Sequence, residues 1–158
     1  MRVLPPHPGG LLIVHTDGAA RGNPGPAGIG AIVTDESGEI VATVAEGIGV
    51  ATNNVAEYRA AIAGLRAAAE HGAERVLLRS DSRLLIEQLA GRFKVKARNL
   101  IPLHLDARAA MRAFKEVRLE HVPRERNVEA DALANQGVDE WLALGGADGT
   151  EPPEDSLF

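Results

Sequence analysis

Three apolar runs near the start of the chain are separated only by turn-forming residues, and that spacing constrains the fold more than any other feature. Leu11 to Thr16 has the pattern of a buried strand, closed by a Gly/Pro-rich turn from Gly18 to Gly28. Gly28 to Thr34 reads as a second strand, and Asp35-Glu36-Ser37-Gly38 as a polar hairpin turn into a third, Glu39 to Gly49. Connections this short return the chain antiparallel, so the reading is a three-stranded meander.

The period then changes. Thr52 or Asn53 caps a helix reaching His71, where Gly72 stops it; Val55, Tyr58, Ile62 and Leu65 recur along it at helical spacing. Arg75 to Ser80 reads as a fourth strand, Ser82 to Ala90 as a helix, and Gly91 to Lys96 as a basic connector. A further helix spans Ile101 to Phe114, with Pro102 tolerated in its first turn, and Val117 to Val122 is a fifth strand. Asn127 opens the last helix and Gly145-Gly146 ends it. This succession predicts an α/β domain with a mixed five-stranded sheet, three antiparallel strands then two parallel additions, flanked by helices. Alternation alone leaves a doubly wound α/β fold equally open.

A chain of 158 residues suits one core. We expect a disordered lead over 1–10, one domain over 11–145 and a flexible acidic tail over 146–158. No apolar run approaches the roughly 18 residues of a membrane span, and the proline-broken lead does not read as a signal peptide. Absence of cysteine excludes disulfides, a thiolate nucleophile and a Cys-built zinc site, and a cytoplasmic location fits. Net charge is −5, which by itself argues against a nucleic-acid partner. Its distribution reverses that argument, because Arg75 to Arg126 holds 13 Lys or Arg against 6 Asp or Glu. A solvated helix surface is the plain alternative for that basic stretch.

Four carboxylates carry the chemistry. Asp17 opens Asp17-Gly18-Ala19-Ala20-Arg21-Gly22-Asn23-Pro24-Gly25, and Glu57 closes Thr52-Asn53-Asn54-Val55-Ala56-Glu57. Asp81 follows Val76-Leu77-Leu78-Arg79-Ser80, and Asp131 lies in Asn127-Val128-Glu129-Ala130-Asp131-Ala132-Leu133-Ala134. If they converge they cannot all stay ionised without cations between them. Such donors suit hard divalent ions, Mg²⁺ before Zn²⁺, and the two-metal hydrolysis of phosphodiesters. Gly18 and Gly22 let backbone approach a ligand closely. Gly22 to Gly30 lacks the Lys-Ser/Thr ending of a P-loop, and Gly28-Ile29-Gly30 lacks the third glycine of a dinucleotide fingerprint.

These segments, in this order from about Leu11 to Leu144, resemble ribonuclease H of type 1. The resemblance implies the RNase H-like fold and an endoribonuclease that cuts the RNA strand of RNA/DNA hybrids, leaving 5′-phosphate and 3′-hydroxyl ends. It further implies two Mg²⁺ ions, with Mn²⁺ a substitute, held by Asp17, Glu57, Asp81 and Asp131, with Asp17 bridging both. Asn23, Asn53 and Asn54 resemble the family's groove-reading amides, a role that suits groups able both to donate and to accept. Thr52 resembles the residue that holds a DNA phosphate at a helix N-terminus, where simple N-capping is the alternative.

The chain departs from the family pattern in places. Many members carry a histidine in a mobile loop before the last aspartate. Here Glu120-His121-Val122-Pro123-Arg124-Glu125-Arg126-Asn127 is shorter, as in an archaeal-like subgroup. His121 falls on the strand, so Arg124 is the favoured auxiliary residue, acting electrostatically because arginine stays charged. Arg83 stands where relatives often have glutamine, which turns a base contact into a phosphate contact. The Trp-rich basic protrusion of some relatives is reduced to Arg92, Phe93, Lys94, Lys96 and Arg98. No separate N-terminal hybrid-binding domain of the eukaryotic kind is present in this sequence. His15 shares the strand face of Asp17 and reads as packing. Ser156-Leu157-Phe158 partly resembles a sliding-clamp-binding peptide without its glutamine, which makes a replication protein a candidate partner. Two other readings stand beside the leading one: a same-fold nuclease that also cuts double-stranded RNA, and a non-catalytic hybrid-binding module. Four mutually repelling acids would serve a pure binder poorly.

Overall fold

The computed structural model describes residues 10–146, so the 1–9 lead and the 147–158 tail with Ser156–Phe158 lie outside the described residues. The meander is β1 (Leu11–Ala20), β2 (Gly25–Thr34) and β3 (Ile40–Ala51), each pair antiparallel. Helix α1 (Asn53–Glu70) follows, capped by Thr52, whose hydroxyl accepts the Val55 N–H at 3.2 Å. Then come β4 (Arg75–Ser80), α2 (Arg83–Leu89), α3 (Ile101–Met111), β5 (Glu116–His121), a 3-10 turn at Arg124–Arg126 and α4 (Val128–Ala143). The sheet runs β3-β2-β1-β4-β5, with β4 parallel to β1 and β5 parallel to β4. This is the mixed sheet expected from the sequence, and it decides against the doubly wound alternative. No helix among the described residues is long and apolar enough to cross a membrane.

One expectation changes. The Gly/Pro-rich stretch does not end β1 at Thr16; the strand continues to Ala20, and β2 begins already at Gly25. Only residues 21–24 turn. Two glycines of that stretch, Gly18 and Gly28, are there for approach to a helix, as is Gly30 just beyond it. A Cβ on Gly18 would lie 2.2 Å from the backbone carbon of Ala56 in α1, and one on Gly30 would lie 2.2 Å from the Ala130 carbonyl oxygen in α4. A missing Cβ reads as a turn in sequence, yet here it is the space a packed helix needs.

The two sheet faces follow from strand parity. Leu12, Val14, Thr16 and Gly18 face α1, and the main core forms there from Leu12, Val14, Val33, Val76 and Leu78 against Tyr58, Ile62 and Leu65. Leu85, Leu89, Leu100 and Phe114 extend it beneath α2 and α3. Asp17 and Gly30, a register pair, share the opposite face with Gly28, under α4. Helices α1 and α4 therefore each bring a carboxylate, Glu57 and Asp131, towards the same stretch of β1.

Candidate active site

Asp17 lies in β1 just past the point where β1 stops pairing with β4, since that ladder ends at Thr16 and Ser80. Asp81 is the first residue beyond β4, and so stands beside Asp17 at the same edge. Glu57 sits one turn into α1 and reaches over Gly18, whose N–H donates to its Oε1 at 2.8 Å inside the protein. One carboxylate oxygen from each of Asp17, Glu57 and Asp81 can be chosen so that all three lie within 4.8 Å of one another. Asp17 and Glu57 are each only 5% exposed. Asp131, from the first turn of α4, stands outside this tight trio but lines the same cleft, close enough to help raise the Asp17 carboxyl.

Burial and crowding set the electrostatics. Desolvation, then the neighbouring charges of Glu57 and Asp81, push the Asp17 carboxyl up to about 9. Burial likewise pushes Glu57 up to about 8, against the pull of the Gly18 N–H that favours its charged form. Without counter-charge these acids hold protons near neutrality. Close, buried, oxygen-only donors of this kind fit a hard divalent cation, which would replace those protons.

The cleft encloses about 170 Å³ and is lined by Asp17, Gly18, Ala19, Ala20, Asn53, Glu57, Asp81, Arg124 and Asp131. Arg124 is 88% exposed and holds its Nε 3.9 Å from Asp81 Oδ2. His121 ends β5 outside the cleft lining, with Nε2 3.3 Å from the Asp81 carbonyl oxygen. Asn23 accepts the Asn53 N–H on its Oδ1 at 2.9 Å, so its own amide N–H groups are left to donate outward. Asn54 and Arg83 are exposed beside the cleft rather than in it. Gly18 lines the cleft, but α1 occupies the close approach its missing Cβ permits. His15 is partly buried and its pKa is lowered, first by burial and then by Arg79.

Several supporting residues escape a sequence reading. Asn135 Nδ2 donates to the Asp131 carbonyl at 3.1 Å, and Arg21 ties the 21–24 turn to Asn135 Oδ1 at 3.1 Å and to Asp139 at 2.8 Å. The spacing of Asn127, Asp131 and Asn135, four residues apart, was the available signal, since it puts them on one helix stripe. Away from the cleft, Tyr58 donates to Gln88 at 2.7 Å and Gln88 to the Lys94 carbonyl at 3.2 Å, which anchors the connector carrying exposed Arg92, Lys94, Lys96 and Arg98.

Comparison with known proteins places this arrangement. Residues 15–137 match the family model described as reverse transcriptase-like. A bifunctional protein of Mycobacterium tuberculosis is 45% identical over 138 residues, which are 87% of this chain and 38% of that protein. The chain thus spans well under half the length of this relative. Ribonuclease HI of Halobacterium salinarum is 44% identical over 138 residues, 87% of this chain and 69% of that protein. The crystal structure of RNase H1 from that archaeon superposes with a TM-score of 0.81 at 44% identity, covering 83% of this chain and 99% of that one. A type 1 enzyme, LC11-RNase H1, solved in complex with an RNA/DNA hybrid, gives 0.79 at 39% identity, covering 83% of this chain and 99% of that one. The likeness to the halophilic archaeal enzyme agrees with the shortened segment before Asp131. With the sheet order, the acidic cleft and these relatives in agreement, the chain belongs to the ribonuclease HI family.

Proposed function

We propose that this protein is an endoribonuclease that hydrolyses the RNA strand of RNA/DNA hybrids, with residues 11–145 as the catalytic unit. The observation that carries the reading is the trio Asp17, Glu57 and Asp81, buried or nearly so and grouped within 4.8 Å in an open cleft. Asp17, Glu57 and Asp81 would share one divalent cation, and Asp17 with Asp131 a second. Mg²⁺ suits these donors best, and Mn²⁺ could substitute. Such cations, when bound, would supply Lewis acidity for the attacking water and for the departing 3′ oxygen. The chain's own residues do the rest. Gly18 N–H keeps Glu57 aimed into the cleft, and Arg124 faces Asp81 with a charge that an incoming phosphate would meet first. Asn23 and Asn53, fastened to each other at the cleft rim, present amides to the minor groove, where 2′-hydroxyls distinguish RNA. The exposed cations of the connector would hold the backbone of the duplex.

The test is cleavage of one labelled RNA, paired with DNA, paired with RNA, or single-stranded, with Mg²⁺, Mn²⁺ or EDTA. Metal-dependent cutting confined to the hybrid is expected, with 5′-phosphate and 3′-hydroxyl products. Cutting of the RNA duplex as well would favour the broader nuclease that the short archaeal-like segment keeps open. Binding without cutting would leave a hybrid-binding module. We place the protein in the cytoplasm, where transcription and replication generate hybrids. A clamp-docking role for Ser156–Phe158 rests on the sequence alone; deleting those residues without effect on clamp pull-down would remove it.

A further inference from the structure

Between β5 and α4 the chain crosses the ends of β4 and β1, and it satisfies in turn the carbonyl just before each aspartate. Val122 N–H donates to the Ser80 carbonyl at 2.9 Å, next to Asp81. Asn127 Nδ2 donates to the Thr16 carbonyl at 2.9 Å, next to Asp17, across 111 residues of sequence and wholly inside the protein. Thr16 and Ser80 are the last register pair of β1 and β4, so both carbonyls lie where that ladder runs out. Asn127 also accepts the Asp131 N–H on its own carbonyl at 3.1 Å, the bond that starts the Asp131 turn of α4. One residue thus grips Asp17's strand with its side chain and Asp131 with its main chain.

Asn127 is 1% exposed, and its Oδ1 takes no hydrogen-bond partner among the described residues. A buried amide with an unsatisfied oxygen is costly and calls for a reason. An apolar residue would fill the space without that cost, but it would leave the Thr16 carbonyl without this donor. We infer that Asn127 is a positioning residue: its bond to Thr16 sets the separation of Asp131 from Asp17, and so the geometry of the cation site those two acids would share. The inference rests on the metal-site reading above. Groups one step behind metal ligands control affinity by fixing where the ligands point, which is the role argued here.

The experiment is calorimetric titration of the full chain with Mn²⁺ in the absence of nucleic acid, comparing wild type, Asn127→Ala, Asn127→Asp and Leu89→Ala. Leu89 is buried in the main core at the far end of α2 and is not part of the cleft lining, so it reports loss of stability alone. Asn127→Ala should weaken Mn²⁺ binding by about 10- to 100-fold, while Leu89→Ala leaves it within about twofold. Asn127→Asp is nearly isosteric and guards against a failure of the alanine variant to fold. An ionised carboxylate there could not donate to the Thr16 carbonyl, and its charge alone would tighten cation binding, so weaker binding in that variant marks lost position. Hybrid affinity measured in EDTA should stay near wild type in both Asn127 variants, and kcat should fall more than KM rises. Unchanged Mn²⁺ affinity in Asn127→Ala, or an equal loss in Leu89→Ala, would each overturn the inference. Because the primary readout needs no substrate, wild-type Mn²⁺ binding without hybrid cleavage would sink the proposed function and leave this inference testable.

Discussion

On the α1 face of the sheet, Leu12, Val14 and Val33 meet Tyr58, Ile62 and Leu65 through large apolar side chains. On the α4 face, Gly28, Gly30 and Gly47 meet Ala134, Ala130 and Trp141, and Gly137 of α4 lies against the backbone of Glu46. The first face supplies most of the apolar burial that holds the domain together, at about 25 cal/mol per Å². The second buries less side chain and brings backbone against backbone at several points, as the α1 face does only at Gly18 beside the site. Side-chain cores can repack around a lost methylene, but backbone contacts have little slack. The α1 face therefore carries stability, while the α4 face carries position, and position is what a shared cation site between Asp17 and Asp131 demands.

Asp17, on the α4 face yet grouped with Glu57 from α1, should give the largest effect. Asp17→Asn ought to abolish cleavage, losing about 4 kcal/mol or more of transition-state stabilisation, roughly a thousandfold in kcat, while gel-shift affinity for the hybrid survives. Comparable persistence of activity would break the idea that both faces converge on this one acid.

Two core changes sharpen the contrast itself. Leu89→Ala on the α1 side should cost about 2–5 kcal/mol of stability with Mn²⁺ affinity unchanged. Gly30→Ala, whose Cβ would fall 2.2 Å from the Ala130 carbonyl oxygen, must push α4 away. It should cost about 1–3 kcal/mol and also weaken Mn²⁺ binding and kcat. Denaturant melts paired with metal titrations decide between them; equal behaviour of the two variants would erase the distinction.

The pH dependence is smaller but has a definite sign. Asp17 and Glu57 have folded values raised to about 9 and about 8, above those of ordinary carboxylates. Between about 4 and those values the folded protein binds more protons than the unfolded chain, so stability falls as pH rises. In EDTA the melting temperature should therefore drop through this window, and Asp17→Asn should flatten the slope. Added Mg²⁺ should stabilise more at pH 8 than at pH 6, which differential scanning calorimetry would register.

Arg124 should matter least. Its side chain is 88% exposed and its Nε is 3.9 Å from Asp81, a geometry worth about 1 kcal/mol or less. Arg124→Ala should slow cleavage only a few-fold, with a weaker salt dependence of kcat/KM. A loss as large as that of Asp17→Asn would make the strap from Val122 to Asn127 a catalytic element in its own right.

Much of this was legible in the residues. Thr52 announced the start of α1, and one turn later Glu57 had to face the strand ends. Asp81 followed a clear apolar strand, and the Asp35–Gly38 turn forced the meander. The Gly18–Gly28 stretch misled for an identifiable reason. Glycine signals a turn when only neighbours in sequence are considered, whereas Gly18, Gly28 and Gly30 answer to helix residues 38 or more positions away along the chain. Asn127 was visible only as the first residue of a motif, because its partner is the Thr16 carbonyl, and a main-chain oxygen leaves no mark on composition or period.

The sequence by itself determined the order of elements, the four acids, and the strand or helix end near which Glu57, Asp81 and Asp131 sit, since local periodicity and capping encode those directly. Only the tertiary structure decided that Asp17, Glu57 and Asp81 draw close while Asp131 stands a step apart, and that burial holds protons on two of them. Those outcomes depend on how closely whole helices lie on the sheet. That distance is set by side chains that are absent, and by a single buried amide joining residues 111 apart.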